Sequence, residues 1–423
     1  MMNYQAPRGT YDILPSDITK WHYLEAIIND VTNQFNYKEI RTPIFESSDL
    51  FTRSVGETTD IVSKEMYNFE DKKGRNMTLR PEGTAGVVRA YVQNKLYADA
   101  NTLSKLYYVG PMFRYERAQK GRQRQFTQFG VEAIGSLNPA VDAEVIALAV
   151  EIIKRLGLKE IKVAINSLGD TDSRVQFREA LINHFKGEID SFCSDCQKRI
   201  ESNPLRILDC KKDRSHPLMV SAPKTIDFLN EESKQFFDTV INYLDALNID
   251  YIVDTNLVRG LDYYNHTVFE VMSNVKGFGA QTTLVGGGRY NGLVQDIGGP
   301  DQPGIGFAFG MERLILAMEA EDVEIQNNDD IDIYVVALGD VAHDYAFTLQ
   351  HKLRENGIKV EKDYFSRKIK SQFKQADKLN ATYTVVIGDD EIKNDQFTIK
   401  NMKTGNQKEI SSNGIINYIK SNL

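Results

Sequence analysis

Cysteine is scarce in this chain, with three in 423 residues, at positions 193, 196 and 210. So few thiols, and an odd number of them, exclude a disulfide framework and lead us to expect a protein of the reducing cytoplasm. Long apolar runs are missing too, and none approaches the roughly 20 residues that a bilayer-spanning helix needs. The opening segment MMNYQAPRGTYDILP carries no apolar core of the kind found in secretion signals. No GxxxxGK[ST] occurs, which excludes a P-loop, and no GxGxxG follows the first strand of a βαβ unit. Net positive charge is also absent: 51 Lys and Arg against 59 Asp and Glu leave −8. A polyanion partner must therefore be met by a local basic patch, not by the overall field.

Such a patch exists at 113–132, FRYERAQKGRQRQFTQFGVE. Arg114, Arg117, Lys120, Arg122 and Arg124 fall within eleven residues, opposed among them only by Glu116. Period-two alternation at 106–116 and 124–135 predicts two strands, with Gly121 at the turn between them. Arginines on a rigid hairpin can aim planar, bidentate donors at a polyphosphate, which lysine cannot do as well. The plain alternative is a solvated charged hairpin. Against it, Phe113, Phe126 and Phe129 interleave with the charges, and Gln128 and Glu132 occupy strand positions.

Length alone allows two or three domains with a large core. Ile18, Trp21, Leu24, Ile28, Val31 and Phe35 recur at helical spacing and predict an amphipathic helix over 17–35. YKEIRTPIFE follows as an extended segment, and Pro43 places it at a sheet edge or subunit boundary. RNMTLR reads as a strand ending at Pro81, with a helix from Glu82-Gly83-Thr84 through Tyr91. A further helix is expected near 140–156, and residues 170–223 read as a mainly helical insertion. Strands return at YIVDTNLVR, TVFEVM and TTLVGGG, and a helix is expected from about Phe309. Acidic residues from Glu319 to Asp332 read as a linker. Beyond it, 331–423 begins as alternating strands and helices, a small α/β domain distinct from 1–325.

PGIGFAFGMERLILA (303–317) is a glycine-rich strand-to-helix junction. Small residues there permit close backbone approach, and Arg313 falls in the first helical turn, where a cation is disfavoured unless an anion is bound nearby. Cys193-x2-Cys196 with Cys210 and His216 offers four tetrahedral zinc ligands, but with one irregular CxxC we read these cysteines as structural.

Three of these segments together resemble the signature of class II aminoacyl-tRNA synthetases. The 17–35 helix with its Pro43 strand is similar to motif 1, FRYE and its loop to motif 2, and GIGFAFGMER to motif 3. LVRGLDYYNHTVFEV (257–271), LVGGGRYNGL (284–293), RGTYDILP and TLRPEGTAGVVRAY further resemble the histidyl-tRNA synthetase family, bacterial in type. The resemblance implies an α+β fold: a mixed, mainly antiparallel catalytic sheet with a helical insertion, then a C-terminal α/β anticodon-binding domain at 331–423. It implies ATP with Mg2+, L-histidine and tRNA(His) as partners, a homodimer, and no membrane.

Residue by residue, the resemblance implies Arg259 and Arg114 as catalytic cations on either side of the α-phosphate. Arg114, Glu116, Arg122, Phe126 and Arg313 would bind ATP. Glu82, Thr84, Gln128, Glu132, Tyr263, Tyr264 and Tyr290 would bind histidine. An ordinary ion pair, such as one with Asp262, is the plain alternative for Arg259. The rival readings are a non-catalytic regulatory subunit of ATP phosphoribosyltransferase, a class II synthetase for another amino acid, and an RNA-binding module. The first lacks the last domain, LVRGLDYY argues against the second, and two separated ATP-type arginine sites argue against the third.

Overall fold

Alternating side chains and closely spaced glycines build the sheet that carries the site. The computed structural model describes residues 4–56, 59–98, 102–119, 121–210, 212–275, 283–325 and 330–422. Lys120, part of the basic stretch, and linker residues 326–329 lie outside them. The chain divides into two units, Met1–Ile325 and Gln326–Leu423.

The strands of the larger unit begin with β1 (Lys38–Glu39), β2 (Phe45–Ser47), β3 (Tyr67–Glu70), β4 (Asn76–Leu79), β5 (Ser104–Phe113) and β6 (Gln125–Ile134). They continue with β7 (Ile161–Ser167), β8 (Tyr251–Val253), β9 (Asn265–Ser273), β10 (Thr283–Arg289) and β11 (Gly304–Gly310). Eight form one sheet in the order β1-β5-β6-β11-β10-β9-β7-β8, while β2-β4-β3 form a small separate sheet. Pairing is antiparallel through β5-β6-β11-β10-β9-β7 and parallel only at the two edges. The Pro43 segment is thus flanked by edge strand β1 and by β2 of the small sheet, as a missing N–H requires.

Period two sorts the faces. Phe129, Val131 and Ala133 of β6, Ile305, Phe307 and Phe309 of β11, and Phe269 and Val271 of β9 join the main apolar core. Helices Ile18–Gln34, Pro139–Arg155, Glu231–Ala246 and Met311–Ala320 contribute Trp21, Ile146, Val240 and Leu314 to that core. The intervening positions of these strands face the other way, and they are unusually small. Gly130, Ala308, Gly286 and Glu270 lie in one cross-strand row. Glu132, Gly306, Gly288 and Val268 form a second row.

Two sequence readings shift, and a third gains detail. YIVDTNLVR is a strand only at Tyr251–Val253, because the glycine- and aspartate-bearing stretch after it forms loops and turns. The helix expected from Phe309 starts at Met311, since Gly304–Gly310 remain paired in the sheet. The segment 170–223 is helical at Thr171–Phe185, Ser194–Ser202 and Pro217–Val220, joined by short 3-10 turns.

The smaller unit contains β12 (Ile333–Ala337), β13 (Val360–Lys362), β14 (Tyr383–Ile387), β15 (Phe397–Asn401) and β16 (Gln407–Ile410), ordered β13-β12-β14-β15-β16. It has a core of its own, around Val335, Val385, Leu349, Phe397 and Ile415. Across the described residues, no helix is long and apolar enough to cross a membrane.

Candidate active site

The small-residue face of the sheet floors a cavity of about 500 Å³. Among the residues expected at a site, Glu82, Thr84, Arg114, Glu116, Arg122, Phe126, Gln128, Arg259, Tyr263, Tyr264 and Arg313 line it. Glu132 and Tyr290 do not reach its wall; both are buried, Glu132 in the second cross-strand row beside lining residue Gly306 and Tyr290 against Gly304.

The hairpin supplies one side. Arg114 follows β5, and its Nε donates to the carbonyl of Pro81 at 2.8 Å. Its guanidinium also stands 5.3 Å from the centroid of Phe126. Glu116 accepts from Arg122 Nη1 at 3.1 Å and lies 4.0 Å from Arg114. Gly121, with φ +76°, makes the turn that folds this loop back. Arg124, left without a role by the sequence, has its guanidinium 3.9 Å from the centroid of Tyr115. The Arg124 backbone donates to Gly9 at 2.7 Å, which ties RGTYDILP to the base of the hairpin.

Arg313 enters from the first turn of its helix, and its Nε donates to the Thr283 carbonyl at 3.0 Å. Burial, and then repulsion from Arg122, lower its pKa. Two guanidiniums that repel each other, next to a helix N-terminus, form a site that favours an anion.

Arg259 comes from the loop after β8. Its Nη1 pairs with Glu270 of β9, and Glu270 also accepts from the Thr283 hydroxyl at 2.7 Å. A side chain at Gly286, directly across from Glu270, would collide with this guanidinium. The alternative partner, Asp262, instead accepts from Asn203 at 2.7 Å. Arg259 thus has an ion pair, but one that fixes the cation over the cavity floor.

At the amino-acid end, Glu82 accepts from the backbone N–H groups of Thr84 and Ala85, both at 2.8 Å, at the start of the Thr84–Gln93 helix. Burial raises its pKa despite these donors. The Gln128 carbonyl accepts from Gly83 N at 3.1 Å and from the Tyr108 hydroxyl at 3.3 Å. Glu132 Oε2 accepts from the Tyr290 hydroxyl at 2.6 Å, while Oε1 is buried without a bonding partner. Burial pushes Glu132 up to about 8, with Thr84 and Tyr290 acting against that. Arg289, inside the GGGRYNGL segment, lies away from this chemistry: it is fully buried and paired with Asp142.

Sequence reasoning missed Glu270, Glu312, Thr283, Gly286 and Asp209, all of which line the cavity. The signal was available for two of them, since Glu270 and Gly286 occupy the polar or small phase of otherwise apolar strands. The four-ligand set that the sequence offered, and that we read as structural cysteines, also differs in its members. His216 accepts from Leu218 N at 3.3 Å to cap its helix, and its Nε2 hydrogen-bonds Ser191 at 2.9 Å. Asp213, not His216, joins the three cysteines.

A family model described as histidyl-tRNA synthetase matches residues 9–174 and 219–314, and one described as anticodon binding domain matches 332–422. A histidine–tRNA ligase of Geobacillus sp. (strain WCH70) is 58% identical over 422 residues, covering 100% of both chains. That of Bacillus subtilis (strain 168) is 57% identical over 421 residues, 100% of this chain and 99% of the relative. An apo histidyl-tRNA synthetase structure from S. aureus superposes with a TM-score of 0.86 at 50% identity, covering 99% of this chain and 100% of that one. A Bacillus halodurans C structure titled ATP phosphoribosyltransferase regulatory subunit/histidyl-tRNA synthetase has a TM-score of 0.63 at 22% identity, over 89% of this chain and 97% of that one, a likeness of fold alone. The chain belongs to the histidyl-tRNA synthetase family.

Proposed function

We propose that this cavity catalyses ligation of L-histidine to tRNA(His), with ATP as the energy source and magnesium entering as its counter-ion. The histidine carboxylate attacks the α-phosphorus, and pyrophosphate departs from the resulting histidyl-adenylate. The terminal ribose hydroxyl of the tRNA then attacks the acyl carbon, and AMP leaves. Arg114 and Arg259 bear on the α-phosphate, where a fixed positive charge offsets the negative charge that builds up in the transition state. Arg122 and Arg313 hold the outer phosphates, Phe126 stacks on adenine, and Glu116 receives the adenine amino group.

Glu82, Thr84 and Gln128 position the substrate ammonium group. Tyr263, Tyr264 and Tyr290 enclose the imidazole, and the unpaired Oε1 of Glu132 accepts from it. A site built on such a bond rejects apolar amino acids by leaving a buried acceptor unpaired, which is worth about 10⁴-fold or more without editing. The observation that carries the reading is the placement of Arg114, Arg259 and Arg313 around one cavity. The reading also includes a cytoplasmic homodimer, supported by Ile44, Phe45 and Phe69, which are large, apolar and exposed beside the small sheet.

The test is histidine-dependent exchange of labelled pyrophosphate into ATP by the full chain, followed by charging of tRNA(His). Histidine binding without exchange would instead favour the non-catalytic regulatory reading. Sedimentation at working concentration tests the dimer.

A further inference from the structure

Three thiols and a carboxylate converge in the insertion, none of them lining the cavity. Cys193 is the N-cap of helix Ser194–Ser202, and Cys196 sits in its first turn. Cys210 and Asp213 follow the 3-10 turn Pro204–Ile207, so the set reads C-x2-C-x13-C-x2-D. One ligand atom from each lies within 4.8 Å of all the others. Cys193 Sγ is 3.7 Å from Cys210 Sγ, and Cys210 Sγ is 3.4 Å from Asp213 Oδ2. A tetrahedral zinc with ordinary bond lengths sets S···S edges at about 3.8 Å and S···O edges at about 3.5 Å. A disulfide would require sulfurs at roughly 2.05 Å.

We propose that Cys193, Cys196, Cys210 and Asp213 bind one zinc ion in a closed, structural site. Four protein ligands leave no open position for substrate, which separates such a site from a catalytic one. Each thiol gives its proton to solvent as the metal binds. The Cys196 backbone N–H donates to Cys193 at the N-terminus of this helix. The Cys193 backbone N–H donates to both Asp213 oxygens, at 3.2 and 3.1 Å, and so orients that ligand.

The fold gives the ion a purpose. The insertion's core is small, centred on Phe177, Leu181, Phe185, Phe192, Ile200 and Ile207. Small cores of this kind gain from a metal staple. The stapled turn also braces the active-site loop. Arg206 donates to the Arg259 carbonyl at 3.1 Å, and Asp209, the residue before Cys210, lines the cavity.

Metal analysis of the full-length protein purified without chelator tests this. About one zinc per chain is expected. Cys196→Ser loses most of that zinc, whereas His216→Ala keeps it. Should Cys196→Ser fail to fold, cobalt exchanged into the unmodified protein supplies the test, with thiolate-to-cobalt charge transfer and a tetrahedral ligand-field spectrum expected. A metal-free chain that takes up no zinc on incubation, zinc retained by Cys196→Ser, an octahedral cobalt spectrum, or a Cys193–Cys210 disulfide found by mass spectrometry would each overturn the proposal.

Discussion

Tyr290 donates its hydroxyl to Oε2 of Glu132 at 2.6 Å, and both side chains are buried beneath the cavity. The bond leaves Oε1 as the acceptor for a ligand. Tyr290→Phe removes the donor that favours the ionised carboxylate, so we expect the KM for histidine to rise about tenfold or more while that for ATP changes little. Because burial raises Glu132 to about 8, the empty site holds its proton at lower pH. Histidine affinity should therefore climb as pH rises toward 8. Glu132→Gln should bind weakly and lose that slope. Titration calorimetry across this range decides it, and an unchanged slope in the variant would sink the assignment.

Arg259 depends on its neighbours for position. Replacement by alanine should reduce pyrophosphate exchange by about 10²–10³-fold, the usual loss for a preorganised charge at a reacting centre. Glu270→Gln removes the ion pair but leaves the guanidinium in place, so a smaller loss, about tenfold, is expected. Gly286→Ala adds a methyl where Nη2 lies and should resemble Arg259→Ala in rate while histidine binding persists. Exchange kinetics beside equilibrium histidine binding separate these outcomes. Full activity in Gly286→Ala would count against the proposed placement of Arg259.

Glu312 makes a stability prediction whose sign can be worked out. Its Oε1 accepts from Thr127 N at 2.8 Å, Oε2 is buried without a partner, and burial raises its pKa to about 7. The unfolded chain releases this proton above an ordinary glutamate pKa near 4.5, whereas the folded chain keeps it until about 7. Folding therefore takes up a proton between those values, and the contribution to stability falls as pH rises through the window. Glu312→Gln preserves the acceptor without the charge. The variant should match the parent near pH 4.5 and gain on it up to pH 7 and above, by on the order of 3 kcal/mol at most. Melting temperatures of both proteins at pH 5 and 8 are the measurement, and parallel profiles would refute it.

The hairpin was legible because two signals coincide there: period-two alternation marks the strands, and arginines interrupt it at the turn. Arg259 could not be placed by spacing, since it meets Arg114 only through the order of strands in the sheet. Glu270 and Gly286 stood out singly by their strand phase, but their joint role as its anchor did not. Glu270 and Gly286 are partners in cross-strand register, which a linear pattern does not display. Arg289 shows the opposite failure: it sits in a segment that resembles a specificity motif, yet it is spent on a buried pair with Asp142. His216 was the chemically natural fourth zinc ligand, but capping its own helix draws it aside and leaves the place to Asp213. In the last unit, β15 and β16 escaped notice because FTIKN and QKEI are short and partly exposed.

The separate cores of the two units give the last prediction. Val335, Val385, Phe397 and Ile415 are buried within the smaller unit, while the described residues that line the cavity all lie before 325. The adenylate chemistry therefore needs no side chain from the smaller unit, but selection of tRNA does if that unit grips the anticodon. A chain ending at Ile325 should retain histidine-dependent pyrophosphate exchange within a few-fold and lose most of its tRNA charging. The loss should lie in the KM for tRNA, because contacts far from the reacting atoms add affinity more readily than rate. Adding tRNA at high concentration should restore part of the charging. Loss of exchange in a truncated chain that still melts cooperatively would show that the smaller unit helps to form the active site.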